Sequence, residues 1–192
     1  MSTPVRKSAT YADLLALPTD VVGQLIDGDL YAMPRPSTGH AGVTTTLGMD
    51  LGSPFQRGRG GPGGWWFAFE PELHFGSDVL VPDLAAWRVE RLPDRPATST
   101  PYFTVAPDWV CEVISRSTAS LDRVKKKRIY GRERVAFYWL IDPVERTLEA
   151  FRLDGDVWIE VGTWEGEERV RVAPFDAVEL ELSALWSPPD PP

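Results

Sequence analysis

The chain has 192 residues, 43% of them hydrophobic and 25% charged, the balance of an ordinary globular protein long enough for one substantial core. Its formal net charge of -8 excludes a protein that coats DNA through a broad positive field, while leaving room for a nucleic-acid enzyme with a locally basic groove. The lone cysteine, Cys111, excludes an intrachain disulfide and a thiolate zinc cluster, and no apolar run is long enough to span a bilayer. The opening MSTPVRKSAT has no apolar signal core, so the expected setting is cytoplasmic and away from membranes, with Cys111 as a small core residue.

Thr10 caps a short predicted helix, YADLLAL, that stops at Pro18. Asp27-Gly28 between the apolar halves of GQLIDGDLYAM predicts a tight hairpin. His40, Val43, Leu47, Leu51 and Phe55 recur at helical spacing and predict a second, amphipathic helix that ends before RGRGGPGG. That glycine loop lacks the Lys-Ser/Thr ending of a phosphate-binding P-loop and reads as a flexible connection. WWFAFEPELHF and VLVPDLAAW read as strands, and residues 93 to 101 as a loop rich in proline, threonine and serine. DWVCEVIS reads as a strand, the basic segment after it as a helix, and AFYWLID, TLEAFRL and VWIEVGTW as further strands, the last two joined by a turn at Asp154-Gly155-Asp156. Without repeats or a linker, residues 1–186 read as a single α/β or α+β domain built on a mixed sheet, followed by a flexible proline-rich tail, 187–192.

Two acids stand out. In DWVCEVIS, side chains alternate faces, so Val110, Glu112 and Ile114 share one face and Trp109, Cys111 and Val113 the other. Both faces are apolar apart from Glu112, which predicts a central strand covered on both sides. An unpaired buried carboxylate costs several kcal/mol, so Glu112 needs a cation or a metal. Asp83 repeats the pattern between Val81 and Ala85, beside Pro82, which demands an edge, a bend or a bulge. Two such acids brought to one point repel unless a proton or a cation lies between them, and oxygen ligands suit Mg²⁺ or Mn²⁺. Structural salt bridges account for the same two acids equally well.

The basic segment bears on that choice. Ser117, Thr118 and Ser120 offer helix caps, and Asp122, Lys126 and Tyr130 then fall on one helical stripe, with Lys126 able to point back to Glu112. A lysine beside two metal-binding acids can orient a water or stabilise charge on a phosphate. Arg123, Lys125, Lys127 and Arg128 read as a solvated basic face that can also steer phosphate.

The succession Pro82-Asp83, Pro107-Asp108, Glu112-Val113, Ser115, Ser117-Thr118, Asp122, Lys126, Tyr130, Tyr138-Trp139-Leu140 and Asp142-Pro143, together with LIDGDL and His40 upstream, resembles the Uma family of restriction endonucleases within the PD-(D/E)XK nuclease superfamily. The resemblance covers about residues 8 to 186. It implies a restriction-endonuclease-like core, a mixed sheet flanked by helices, and metal-dependent cleavage of a nucleic acid, DNA above all, with a homodimer as the natural form of a two-strand cutter. Carried over by position, Asp83 and Glu112 bind Mg²⁺ and Lys126 is the catalytic lysine, with Gln24, His40, Asp108, Asp122 and Tyr130 in support. In most of the superfamily the lysine lies two residues after the acid, where this chain has Ile114. Two departures bear on activity, Gln24 and Phe137 where the family usually has glutamate, while Arg116 in place of proline is a milder one that adds local positive charge. They leave open an alternative, a nuclease-fold protein that has lost cleavage and acts as a binding module. His40 on its apolar stripe reads more simply as a hydrogen-bonded core residue, Tyr130 as packing, and Asp108 as a strand cap.

Overall fold

A computed structural model describes residues 8–92 and 100–186. Most of the predicted loop at 93 to 101 and the whole tail 187–192 lie outside the described residues. The first helix, α1 (Tyr11–Leu15), is capped as expected: the Thr10 hydroxyl accepts from the Asp13 N–H, and the Asp13 carboxylate accepts from the Thr10 N–H. Next, β1 (Val21–Ile26) and β2 (Asp29–Pro34) form the predicted hairpin, with positive φ at both Asp27 and Gly28. The second helix, α2 (Thr38–Leu51), continues through a π-helical turn, Gly52–Gln56, and buries Val43, Leu47, Leu51 and Phe55 along one stripe. The glycine loop that follows is tied back onto that turn: Arg59 N–H donates to the Ser53 carbonyl and Gly63 N–H to the Pro54 carbonyl. It is a hydrogen-bonded element rather than a free tether.

The next two apolar stretches, each read as one strand, are each two. Pro71 separates β3 (Trp65–Phe69) from β4 (Leu73–Phe75), and Pro82 separates β5 (Asp78–Leu80) from β6 (Leu84–Arg88). Proline has no N–H for a ladder, and at both places the chain leaves one sheet for another. The strands β2-β1-β5-β4 make a four-stranded antiparallel sheet. The remaining strands are β7 (Trp109–Val113), β8 (Phe137–Asp142), β9 (Thr147–Asp154) and β10 (Val157–Glu165), which extend β3 and β6 into a six-stranded sheet ordered β10-β9-β8-β7-β6-β3. It is mixed, because β7 and β8 run parallel while its other neighbours are antiparallel. A parallel pair needs a crossover, and here it carries a π-helical turn, Leu121–Lys126, that leads into α3 (Lys127–Arg132). A short ribbon of β11 (Arg169–Val170) and β12 (Leu180–Glu181) and a 3₁₀ turn, Leu182–Leu185, complete the described chain.

Every residue of β7 is buried, and its two faces enter two cores. Trp109, Cys111 and Val113 pack with α2 and with Phe175 from the C-terminal segment, whereas Val110 and Ile114 pack with Ile129 and Tyr130 of α3 and with Ile26 and Leu80 of the smaller sheet. This is the mixed central sheet flanked by helices that the order of elements predicts. Among the described residues no helix is long and apolar enough to cross a membrane.

Phe175 fixes the C-terminal segment to the sheet. Its ring lies 4.8 to 5.7 Å from those of Phe55, Trp65, Phe67, Trp109 and Trp139. Phe175→Ala is expected to lower stability by about 3–5 kcal/mol in urea unfolding; a loss below about 1 kcal/mol would mean that the segment is not part of the cooperative core.

Candidate functional site

The register of β6 against β7 sets the geometry. Leu84 lies opposite Cys111 and Ala85 opposite Val110, so one step beyond β6 brings Asp83 beside Glu112. The ladder ends there, and the Asp83 side chain continues it: Oδ2 accepts from the Val113 N–H at 2.7 Å. The other oxygen, Oδ1, lies 2.6 Å from Nε2 of His40, near the start of α2. Gln24, buried on β1, accepts from the Val81 N–H at 2.9 Å and so pins the bend that carries Asp83 from one sheet to the other. Of the alternatives open for Pro82, the bend is realised; β6 has a neighbour on each side.

Glu112 faces the α3 side of the sheet. Its Oε2 accepts from Lys126 Nζ at 3.0 Å and its Oε1 from the Tyr130 hydroxyl at 2.7 Å. Lys126 Nζ is also 3.1 Å from Asp122 Oδ1, an ion pair without hydrogen-bond geometry. Glu112, Asp122 and Lys126 are each 2–3% exposed and Tyr130 fully buried. Asp122, Lys126 and Tyr130 thus occupy the predicted stripe, and the tyrosine does more than pack, since its hydroxyl holds Glu112. Ser115 and Thr118 start the crossover by exchanging hydrogen bonds between their hydroxyls and main chains, while Ser120 makes no side-chain cap.

Burial raises the Glu112 carboxyl from its ordinary 4.5 to about 8; Lys126 opposes the shift, Asp122 and Asp83 add to it, and the Tyr130 hydrogen bond eases it. For Lys126, burial works against the charge, but Glu112, Asp122 and Asp83 outweigh it and hold the ammonium above the ordinary lysine range. The two shifts differ in what they favour because the lysine faces three acids while Glu112 faces one cation and two like charges. The cluster keeps its lysine charged and carries an excess of acid.

These groups share one open cavity of about 290 Å³, lined by Asp83, Glu112, Lys126, Asp122, His40 and Gln24, with Arg35, Glu70, Ser115, Ser117 and Thr118 also on its wall. Tyr130 stands behind Glu112. Asp108 is not brought in. It accepts from the Arg88 N–H and from Arg91 at the opposite end of β7, roughly 13 Å along the strand from Glu112. Phe137 packs against the α2-side core, away from the cavity. Nor does the basic segment surround the site. Arg123 pairs with Glu149, Lys125 with the Tyr31 hydroxyl, Arg128 with Asp27, and Lys127 lies over the Phe151 ring. Local charge patterning missed these partners because they lie 24 to 101 residues away in sequence. Glu70 and Arg35 were also missed. The signal for Glu70 was Glu70-Pro71, a second acid at a proline break, here with a φ of 44°. Among the described residues no three His, Cys, Asp or Glu side chains gather as a ready metal cluster; Asp83 and Glu112 are the two acids that the β6–β7 register sets side by side.

The Uma2 family model, described as "putative restriction endonuclease", matches residues 9–184. The fold is similar to the crystal structure of a protein from Anabaena variabilis ATCC 29413, described as a putative nuclease belonging to DUF820. The two share 23% sequence identity with a TM-score of 0.74, over 93% of this chain and 97% of that one. At that identity the likeness speaks for the fold. No curated protein matches the chain.

Two measurements probe the cluster. The unfolded chain titrates Glu112 near 4.5 and the folded chain near 8, so the folded state holds the extra proton between them. The resulting stability is full below the lower value and is lost as pH rises to the higher one. Melting curves in chelator should show that decline in the wild type and lack it in Glu112→Gln; an equal decline in both would place the proton elsewhere. Lys126→Met leaves buried acids without their cation and is expected to cost about 3–5 kcal/mol. A neutral result in urea unfolding would show that the acids shed their charge instead.

Proposed function

The chain belongs to the Uma2 family, and from that premise we propose that it is a metal-dependent endonuclease, hydrolysing phosphodiester bonds of nucleic acid, DNA first among them, at the cavity shared by Asp83 and Glu112. The observation that supports this best is the register that sets the two acids side by side on adjacent strands, facing one cavity with more acid than base.

The donor set fits a hard divalent cation such as Mg²⁺ or Mn²⁺. Two carboxylates supply the oxygens, and the excess negative charge around Lys126 is what such an ion balances. Mg²⁺ commonly takes only one or two carboxylates and completes its shell with water and substrate phosphate, which suits a cavity where the strand register sets two acids side by side. Asp83 and Glu112 would hold the ion; when bound, it supplies Lewis-acid activation of a phosphoryl oxygen and of the attacking water.

The protein's own groups then have defined tasks. Lys126 stays protonated among three acids, so it acts as a fixed donor toward a phosphate oxygen or the water, not as a base. Tyr130 and His40 hold the rotamers of Glu112 and Asp83, as outer partners of metal ligands do. Gln24 fixes the bend on which Asp83 sits, and its oxygen is already engaged there. That engagement favours a second reading, a nuclease-fold binding protein without cleavage, in which Lys126 and His40 are the lasting partners of the two acids.

Calorimetry with Mn²⁺, in the presence of an oligonucleotide, separates the two. The nuclease reading expects saturable binding in the wild type that Asp83→Asn removes. It also expects cleavage to fall by more than about a hundredfold in Asp83→Asn and in Glu112→Gln, since even outer partners of a metal cost 10- to 100-fold. Wild-type protein that binds no Mn²⁺ under these conditions would leave only the binding-protein reading.

A further inference from the structure

A second groove, of about 660 Å³, runs along α2 and the free edge of β3. It adjoins the cavity just described: Phe69 lines the groove and its neighbour Glu70 the cavity, and α2 gives His40 to the cavity and Thr45 to the groove. No acid lines it. Arg57 and Arg59 stand at its glycine-loop end, exposed and without a carboxylate in ion-pair range among the described residues, and the loop's hydrogen bonds to Ser53 and Pro54 hold them in place. Gln56 gives its oxygen to the Phe67 N–H, which leaves its amide N–H groups to donate. Phe69 is 55% exposed, and the tip of its ring rests where a Cβ on Gly48 would lie 2.2 Å away.

We infer that this groove is a binding track for single-stranded nucleic acid, leading from the cavity toward Arg57 and Arg59 with Phe69 as a stacking platform. The inference rests on the nuclease reading and names the form of substrate it takes. Unpaired arginines, amide donors and an exposed aromatic ring beside a free strand edge are the chemistry that holds a phosphate backbone and a splayed base together. The acidic lining of the cavity cannot provide this. From His40 to Gln56 the helix spans about 24 Å, room for several nucleotides of an extended single strand. In a chain of net charge -8, an acid-free arginine wall is where a polyanion lands.

The test is fluorescence anisotropy of a labelled single-stranded oligonucleotide and of its duplex, in chelator so that nothing is cut, across a salt series. Arg57→Ala/Arg59→Ala should lower the single-strand slope of log K against log salt by about 1.4 and weaken binding about tenfold or more at 0.1 M salt. Phe69→Leu, which keeps an apolar contact to Gly48, should weaken single-strand binding about fivefold or more and spare the duplex. Mn²⁺ binding should be unchanged in both variants. A wild type that binds oligonucleotide while both variants match it would overturn the groove alone. A wild type that binds none would overturn the groove, while the nuclease reading stands or falls on the Mn²⁺ calorimetry. Equal losses on strand and duplex, with Phe69→Leu silent, would also overturn the single-strand track.

Discussion

One ammonium group, that of Lys126, lies beneath the central sheet among three carboxylates, and the α3 side of the molecule is built around it. A buried charge is tolerated only when its surroundings compensate it in full. Three segments meet that demand. Glu112 comes from the central strand, Asp122 from the crossover turn, and Asp83 from the bend between the sheets. Replacing such a cluster with packed apolar residues is often neutral or stabilising, so it contributes little to fold stability as such. Its retention within an otherwise apolar wall is better explained by what rigid, dry walls do for a site: they fix carboxylates and a cation without the rotamer freedom of a surface.

The second constraint is the break at Val81-Pro82-Asp83. A proline ends the hydrogen-bonded ladder, which leaves the Val113 N–H at the end of β7 without a strand partner. The Asp83 carboxylate takes that N–H and is thereby aimed beside Glu112. The same break sends the chain from the four-stranded sheet into the six-stranded one, with Gln24 tying it to β1. The site therefore sits where two sheets meet, because the residue that interrupts pairing also orients the next side chain. In this light Gln24 is first a fastener. An amide with one oxygen lone pair committed to the main chain still holds the bend, which a charged side chain would do at a greater desolvation cost.

Much of this was legible in the sequence wherever the physics is local. The alternation in WVCEV put Glu112 on one face of a doubly covered strand, and helical spacing put Asp122, Lys126 and Tyr130 on one stripe. Asp27-Gly28 dictated its own turn. What failed was non-local. Proline announces a break, but nothing near Pro71 or Pro82 says that the two halves join different sheets. Asp108 shares the periodicity of Glu112 yet lies at the other end of the strand, capped by Arg91 and by the main chain of Arg88. The basic run read as a solvated face able to steer phosphate, and its partners, Glu149, Tyr31, Asp27 and Phe151, were hidden because they are remote in sequence. The Tyr130 hydroxyl finds its partner, Glu112, on a strand across the crossover, which counting along the helix does not reveal.

Those partnered cations change how the net charge should be understood. Arg123, Arg128, Arg132, Arg134 and Arg169 each sit on a carboxylate, so they cancel acids locally and project little field. A polyanion approaching such a surface is repelled by its net charge, and its attraction comes from arginines without a carboxylate in ion-pair range among the described residues, Arg57 and Arg59 among them. Few contacts mean a shallow salt dependence and weak non-specific binding. On the proposed reading, productive binding would come from short-range features, a cavity able to take a cation and a phosphate together and a wall that offers a ring to a base. An acidic protein that acts on nucleic acid by this route gains selectivity for where it binds, because sites lacking the local match are actively disfavoured by the charge of the rest of the molecule.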